Sequence, residues 1–148
     1  MEMKNLWKVS APTAVAPNII MEAQAQNLTE ATNGLVVGEI TTKTLSTVSI
    51  YIISQVSPIT RNPNIWECTL NATVPKLNYR LQIMKIVFSA LEFYPLILND
   101  YINGEEYEVD SEDDLKSKLE EIIPSPNMTK VINNLMVQAS IKVTEPNK

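Results

Sequence analysis

An α+β fold is predicted for this 148-residue chain: a mostly antiparallel sheet of five or six strands, with an N-terminal helix and two C-terminal helices packed on it. Three observations predict it. The apolar period is helical before Gly34, alternating between Gly34 and Asp110, and helical again after Ser111. The alternating runs are joined by short connections, which favour antiparallel neighbours. Asn103-Gly104 lies between two such runs and reads as a two-residue hairpin turn, because a type I′ turn needs positive φ at both central positions.

Each element has its own signal. Residues 1–16 form a lead-in opposed to regular structure by Pro12 and Pro17. "PNIIMEAQAQNLTEATNG" reads as a helix opened by Pro17 and Asn18 and closed by a left-handed cap at Asn33-Gly34. Its apolar stripe, Ile20, Ala23, Leu28 and Ala31, suits a surface helix. "LVVGEITTKT" and "TVSIYIISQV" read as strands. In "NIWECTLNATV", Trp66, Cys68, Leu70, Ala72 and Val74 share one face, and Glu67, Thr69, Asn71 and Thr73 share a solvated one. "LNYRLQIMKIVF" starts by alternating and becomes apolar on both faces from Met84. "YPLILNDYI" and "EEYEVD" flank the hairpin turn. Ser111 caps a helix with stripe Leu115, Leu119, Ile122 and Ile123. After Pro124, Ser125 caps a second helix, with Pro126 at its first position. Its stripe, Met128, Val131, Ile132, Leu135, Met136 and Ala139, is the cleanest helical pattern in the chain. A polar tail, residues 141–148, follows. The whole chain, 1–148, reads as a single domain whose lead-in and tail are expected to be poorly ordered.

Composition excludes whole classes of chemistry. There is no histidine, so imidazole acid/base catalysis, Ser-His or Cys-His nucleophiles and histidine metal ligation are absent. One cysteine, Cys68, permits no internal disulfide and no Cys-based zinc site. It alternates with Trp66 and Leu70, so a buried, inert thiol is expected. The three glycines form no phosphate loop, and no cofactor is expected. The net charge is −5 and the lysines and arginines are scattered, which opposes nucleic-acid binding. No run is long enough to span a membrane, and the N-terminus lacks the apolar core of a signal peptide. A cytoplasmic protein is expected.

Charge is nevertheless distributed unevenly. Residues 100–121 carry ten acids and two lysines; the rest carries seven acids and ten bases. Glu106, Glu108 and Asp110 share a strand face, and Glu112, Asp113 and Asp114 open a helix. The structural reading is a charge-protected edge strand followed by carboxylates at the positive end of a helix dipole. The functional reading makes Glu106, Glu108, Asp110, Glu112 and Asp113 a surface for a basic protein partner. "DSEDD" lacks the glycine and terminal glutamate of a calcium loop, and no metal site is expected. An alternative site is a small-molecule pocket between sheet and helices, with Trp66, Tyr79 and Arg80 near its mouth. Arg80 as an exposed cross-strand ion-pair partner is the simpler reading of that residue.

"PNIIMEAQAQNLTEATNGLVVGEI", "LNYRLQIMKIVFSALEFYPLIL" and "SEDDLKSKLEEIIPSPNMTKVINNLMVQAS" together resemble a family of small uncharacterised bacterial proteins. The resemblance covers well over half the chain. It departs from the family in "KIVFSALEFYP", which here lacks a histidine. The resemblance implies a bacterial protein and carries no function. The expected function is a non-enzymatic binding or accessory protein acting by protein contact, with an inhibitor-like or immunity-like role and homo-oligomerisation both open. A pocket binder is the alternative, and a histidine-independent enzyme stands behind both.

Overall fold

The computed structural model describes residues 3–44 and 64–141. The strand expected in "TVSIYIISQV" and most of the tail lie outside the described residues. Residues 3–16 form neither helix nor strand, and Trp7 is 81% exposed. Then come α1 (Pro17–Ala31), β1 (Val37–Thr44), β2 (Ile65–Val74), a single 3-10 turn (Pro75–Leu77), β3 (Tyr79–Ser89), β4 (Leu96–Asp100), β5 (Glu105–Val109), α2 (Glu112–Ile122) and α3 (Pro126–Ser140). Among the described residues the strands form one five-stranded sheet in the order β1-β2-β3-β4-β5, and every pairing is antiparallel. This is the expected α+β fold.

Local chemistry explains the helix ends. Pro17 occupies the first turn of α1, and Asn33 (φ 52°) and Gly34 (φ 80°) provide the left-handed exit. The Asp114 N–H donates to Ser111 Oγ at 3.0 Å to start α2. The Met128 N–H donates to Ser125 Oγ at 3.4 Å, with Pro126 following, to start α3.

The core joins one sheet face to all three helices. It contains Cys68, Leu70, Met84, Ile86, Leu96 and Leu98 from the sheet and Met21, Leu115, Leu119, Met128 and Leu135 from the helices. In α1 Ile20 is buried and Leu28 packs half-buried on the core, as expected, but Ala23 and Ala31 are exposed and Met21 and Ala25 take the buried face instead. The reason is Gly38. A Cβ there would run into the Ala25 carbonyl, so its absence lets α1 descend onto β1 along the Met21–Ala25 side. Thr29 seals the contact, accepting from the Gly38 N–H at 2.9 Å.

Two local expectations are corrected and one is refined. Thr69 and Asn71 are not solvated: they are 5% and 1% exposed on the second face of β2, the strand flanked by β1 and β3. The apolar second half of β3 is covered on both faces, as expected, with Ile86, Val87, Phe88 and Ser89 buried in succession, and a register shift lies at its start. Leu70 pairs with Met84 and Asn71 with Gln82, leaving Ile83 as the extra residue of a bulge. The parity of β3 flips there, and both Ile83 and Met84 become buried. The hairpin loop has four residues, 101–104, because Asp100 pairs with Glu105. Gly104 does take positive φ (71°), but Asn103 does not.

Asn103 has another task. Asp100, 1% exposed, accepts from the backbone N–H groups of Ile102 (3.0 Å) and Asn103 (3.1 Å) and from Asn103 Nδ2 (2.7 Å). Asn103 Nδ2 also donates to Ser125 Oγ at 3.2 Å, and Asn127 Nδ2 donates to Asn103 Oδ1 at 2.9 Å. The hairpin turn is thereby fastened to the start of α3.

Candidate functional site

The acidic corner forms where β5 meets α2. Glu106 lies opposite Asn99 and Glu108 opposite Ile97, so both project from the sheet face away from the helices, and both are exposed. Asp110 is exposed just beyond the strand end, so it extends the acidic row without belonging to β5. Asp113 is exposed in the first turn of α2. Among the described residues, none of these four carboxylates makes an ion pair.

Glu112 differs from them. Its Oε1 accepts the Val15 N–H at 2.9 Å, and its Oε2 lies 3.1 Å from Lys116 Nζ. The Val15 hydrogen bond, then Lys116, hold its carboxyl below the ordinary glutamate value. Glu112 therefore ties the lead-in to α2. Asp114 is also engaged, accepting the Asp110 N–H at 3.1 Å. The corner thus separates into structural carboxylates, Glu112 and Asp114, and outward ones, Glu106, Glu108, Asp110 and Asp113.

Trp66, Tyr79 and Arg80 do not come together. Trp66 pairs with Phe88 at one end of β2, whereas Tyr79 pairs with Val74 at the other. Strand geometry separates those ends, because each residue advances the chain by roughly 3.3 Å. Trp66 borders a shallow hollow of about 190 Å³ with Phe88, Phe93 and Asn18. Arg80 bonds Glu39 at 3.0 Å on the sheet's polar face. On that face Glu67 also lies 3.7 Å from both Lys43 and Lys85. These are cross-strand pairs, the simpler reading of Arg80.

A cleft between sheet and helices does exist, at a different place. It encloses about 320 Å³ between α1 and α3. Leu70, Ile83 and Met84 form its floor; Leu28 stands on the α1 side and Ile132 and Met136 on the α3 side. Two features open it. Gly38 lets α1 lie close over the β1 side of the sheet. The β3 bulge turns two consecutive apolar residues into the floor. Gln24, Asn27, Thr129 and Asn133 add uncharged polar groups. Past Ile123 the cleft adjoins a second hollow of about 630 Å³, between α1 and α2, where Lys116 and Glu120 are found. No short motif could have revealed a gap shared by three elements.

Cys68 is fully buried, and burial pushes its thiol up to about 11. It is chemically quiet at neutral pH. Among the described residues, no group of three or more acidic or sulfur ligands is placed to hold a metal ion, and no helix is long and apolar enough to cross a membrane. Comparison of the chain with family models, with curated proteins and with solved structures finds no match.

Proposed function

We propose that this is a non-enzymatic accessory protein that works by contact with a basic protein partner at the β5–α2 corner. The carrying observation is the set Glu106, Glu108, Asp110 and Asp113: four exposed carboxylates without an ion-pair partner among the described residues. A helix start needs acids at positions such as Glu112 and Asp114, and an edge strand gains from some charge. The remaining excess is what a complementary basic surface would neutralise, and such fields mainly raise association rate. The resemblance of the sequence to small bacterial proteins supports a bacterial origin. A single unpaired cysteine suits the reducing cytoplasm. The lack of histidine supports a binding role over a catalytic one. An inhibitor-like role fits an acidic surface that covers a basic one.

The test is affinity capture at low salt with the native chain and with the triple variant E106Q/E108Q/D110N as baits. The proposal expects one protein captured stoichiometrically by the native chain, released as salt shortens the Debye length to about 8 Å, and not held by the variant. Equal capture by both baits would overturn it. A second reading, a small-molecule binder, is favoured by the apolar cleft between α1 and α3.

A further inference from the structure

We infer that the α1–α3 cleft is a binding site for a small, uncharged amphiphile: a short aliphatic or alicyclic body carrying one hydroxyl, carbonyl or amide group. This rests on the second reading above and gives it a ligand class. Three observations carry it.

The first is size. The volume of about 320 Å³ lies at the small end of the roughly 300–1,000 Å³ usual for ligand sites. At ~30 Å³ for each water-sized group, about ten non-hydrogen atoms would fill it.

The second is the distribution of polarity. The floor, Leu70, Ile83 and Met84, is wholly apolar and at most 3% exposed. Water gains little there, because it needs two to four polar partners. An aliphatic body would make dispersion contacts with the apolar lining. Polar groups come from both walls: Gln24 and Asn27 from α1, Thr129 and Asn133 from α3. Thr32 also borders the space, but its hydroxyl is committed to the backbone of Leu28 and Val36.

The third is charge. Among the described residues, none that lines this cleft is acidic or basic. A carboxylate or phosphate would leave water without a cation to meet it, and an ammonium would lack a carboxylate. Either would incur the cost of burying an unpaired charge. Among the described residues, charge enters in the adjoining hollow, where Lys116 and Glu120 are of opposite sign. Amide and hydroxyl groups can donate to and accept from a neutral head group. The bulge at Ile83 fits this role, since bulges re-aim side chains beside binding sites.

Calorimetric titration of the full chain with octanol, octanoate and octylammonium separates the possibilities. The expected result is saturable binding of octanol, roughly tenfold or more tighter than either charged analogue. Leu28→Trp on one wall and Ile132→Trp on the other should each fill the space and abolish octanol binding, with the circular dichroism spectrum unchanged. Two walls are used so that one misfolded variant does not decide the matter. Equal or tighter binding of a charged analogue would overturn the ligand class while leaving the cleft a binding site. No saturable binding by any of the three, or octanol binding undiminished in a folded tryptophan variant, would overturn both. A chain that dimerises through the cleft, with octanol failing to compete, would also overturn the inference, because a second copy would then be the occupant. None of these outcomes bears on the acidic corner, whose test uses different residues and a different readout.

Discussion

At the scale of single residues, burial decides reactivity. Cys68 has the one side chain in the described residues whose chemistry could be nucleophilic sulfur, and its place in the core makes it inert. A thiol reagent at pH 8 should label native protein far more slowly than unfolded protein, and Cys68→Ala should cost about 1 kcal/mol from a small cavity. Burial also pushes the Tyr94 phenol up to about 12, with Glu112 adding to the effect. Both groups are favoured neutral in the folded state. The stability they contribute is present below their ordinary values of 9.0 and 10.0 and is lost as pH rises toward 11 and 12. Denaturant titrations should therefore show stability falling above about pH 9, and Cys68→Ala should flatten the first part of that fall. Cys68 was legible in the sequence because alternation on β2 fixes its face. The two jobs of Asn103 were not. Its pairing with Gly104 signals a turn, but its contacts with Ser125 and Asn127 come from another part of the chain.

At the scale of elements, the helices were the easiest to read and the sheet register the hardest. Capping residues and helical stripes are local, so Ser111, Ser125 and Pro126 mark their helices without help from the rest of the fold. A bulge changes strand parity with one residue, and no alternation rule distinguishes it from a strand buried on both sides. The β3 bulge was hidden for that reason, and the cleft floor with it. The Ala23 and Ala31 part of the α1 stripe was misread because the buried face depends on a glycine in another element. Gly38→Ala tests that dependence. Its new methyl would meet the α1 backbone at Ala25, and backbone cannot swing aside as a flexible side chain can. Overpacking of this kind typically costs about 1–3 kcal/mol, measured as a shift in denaturant midpoint. The same substitution should lift α1 off β1 at Ala25. Gly34→Ala, at positive φ in open space, would cost strain without moving α1.

At the scale of the whole molecule, the two faces of the sheet divide the work. One face packs all three helices and leaves the cleft over the β2–β3 junction. The other carries the ion pairs of Glu67 with its two lysines and of Arg80 with Glu39, and also buries Ile65 and Val87. The acidic corner lies at the outer margin, on the strand paired only with β4 among the described residues. The composition made the uneven charge legible. It could not tell which carboxylates were free, since that depends on Val15 reaching Glu112 across the fold.

The Asp100–Asn103–Ser125 hydrogen bonds have a consequence for amide exchange. Gly104 N–H bonds the Asp100 carbonyl at 2.9 Å, and Met128 N–H bonds the Ser125 hydroxyl at 3.4 Å. Both are anchored by the same side chain, so the loop and the helix start should open together as one cooperative unit. In deuterium oxide the two amides should show matching protection, with the same response to denaturant. Asn103→Ala should split them, with the loop amide exchanging sooner and the helix amide keeping the protection of α3. If the two amides already differ in the native chain, the asparagine joins the elements in space without joining their motions.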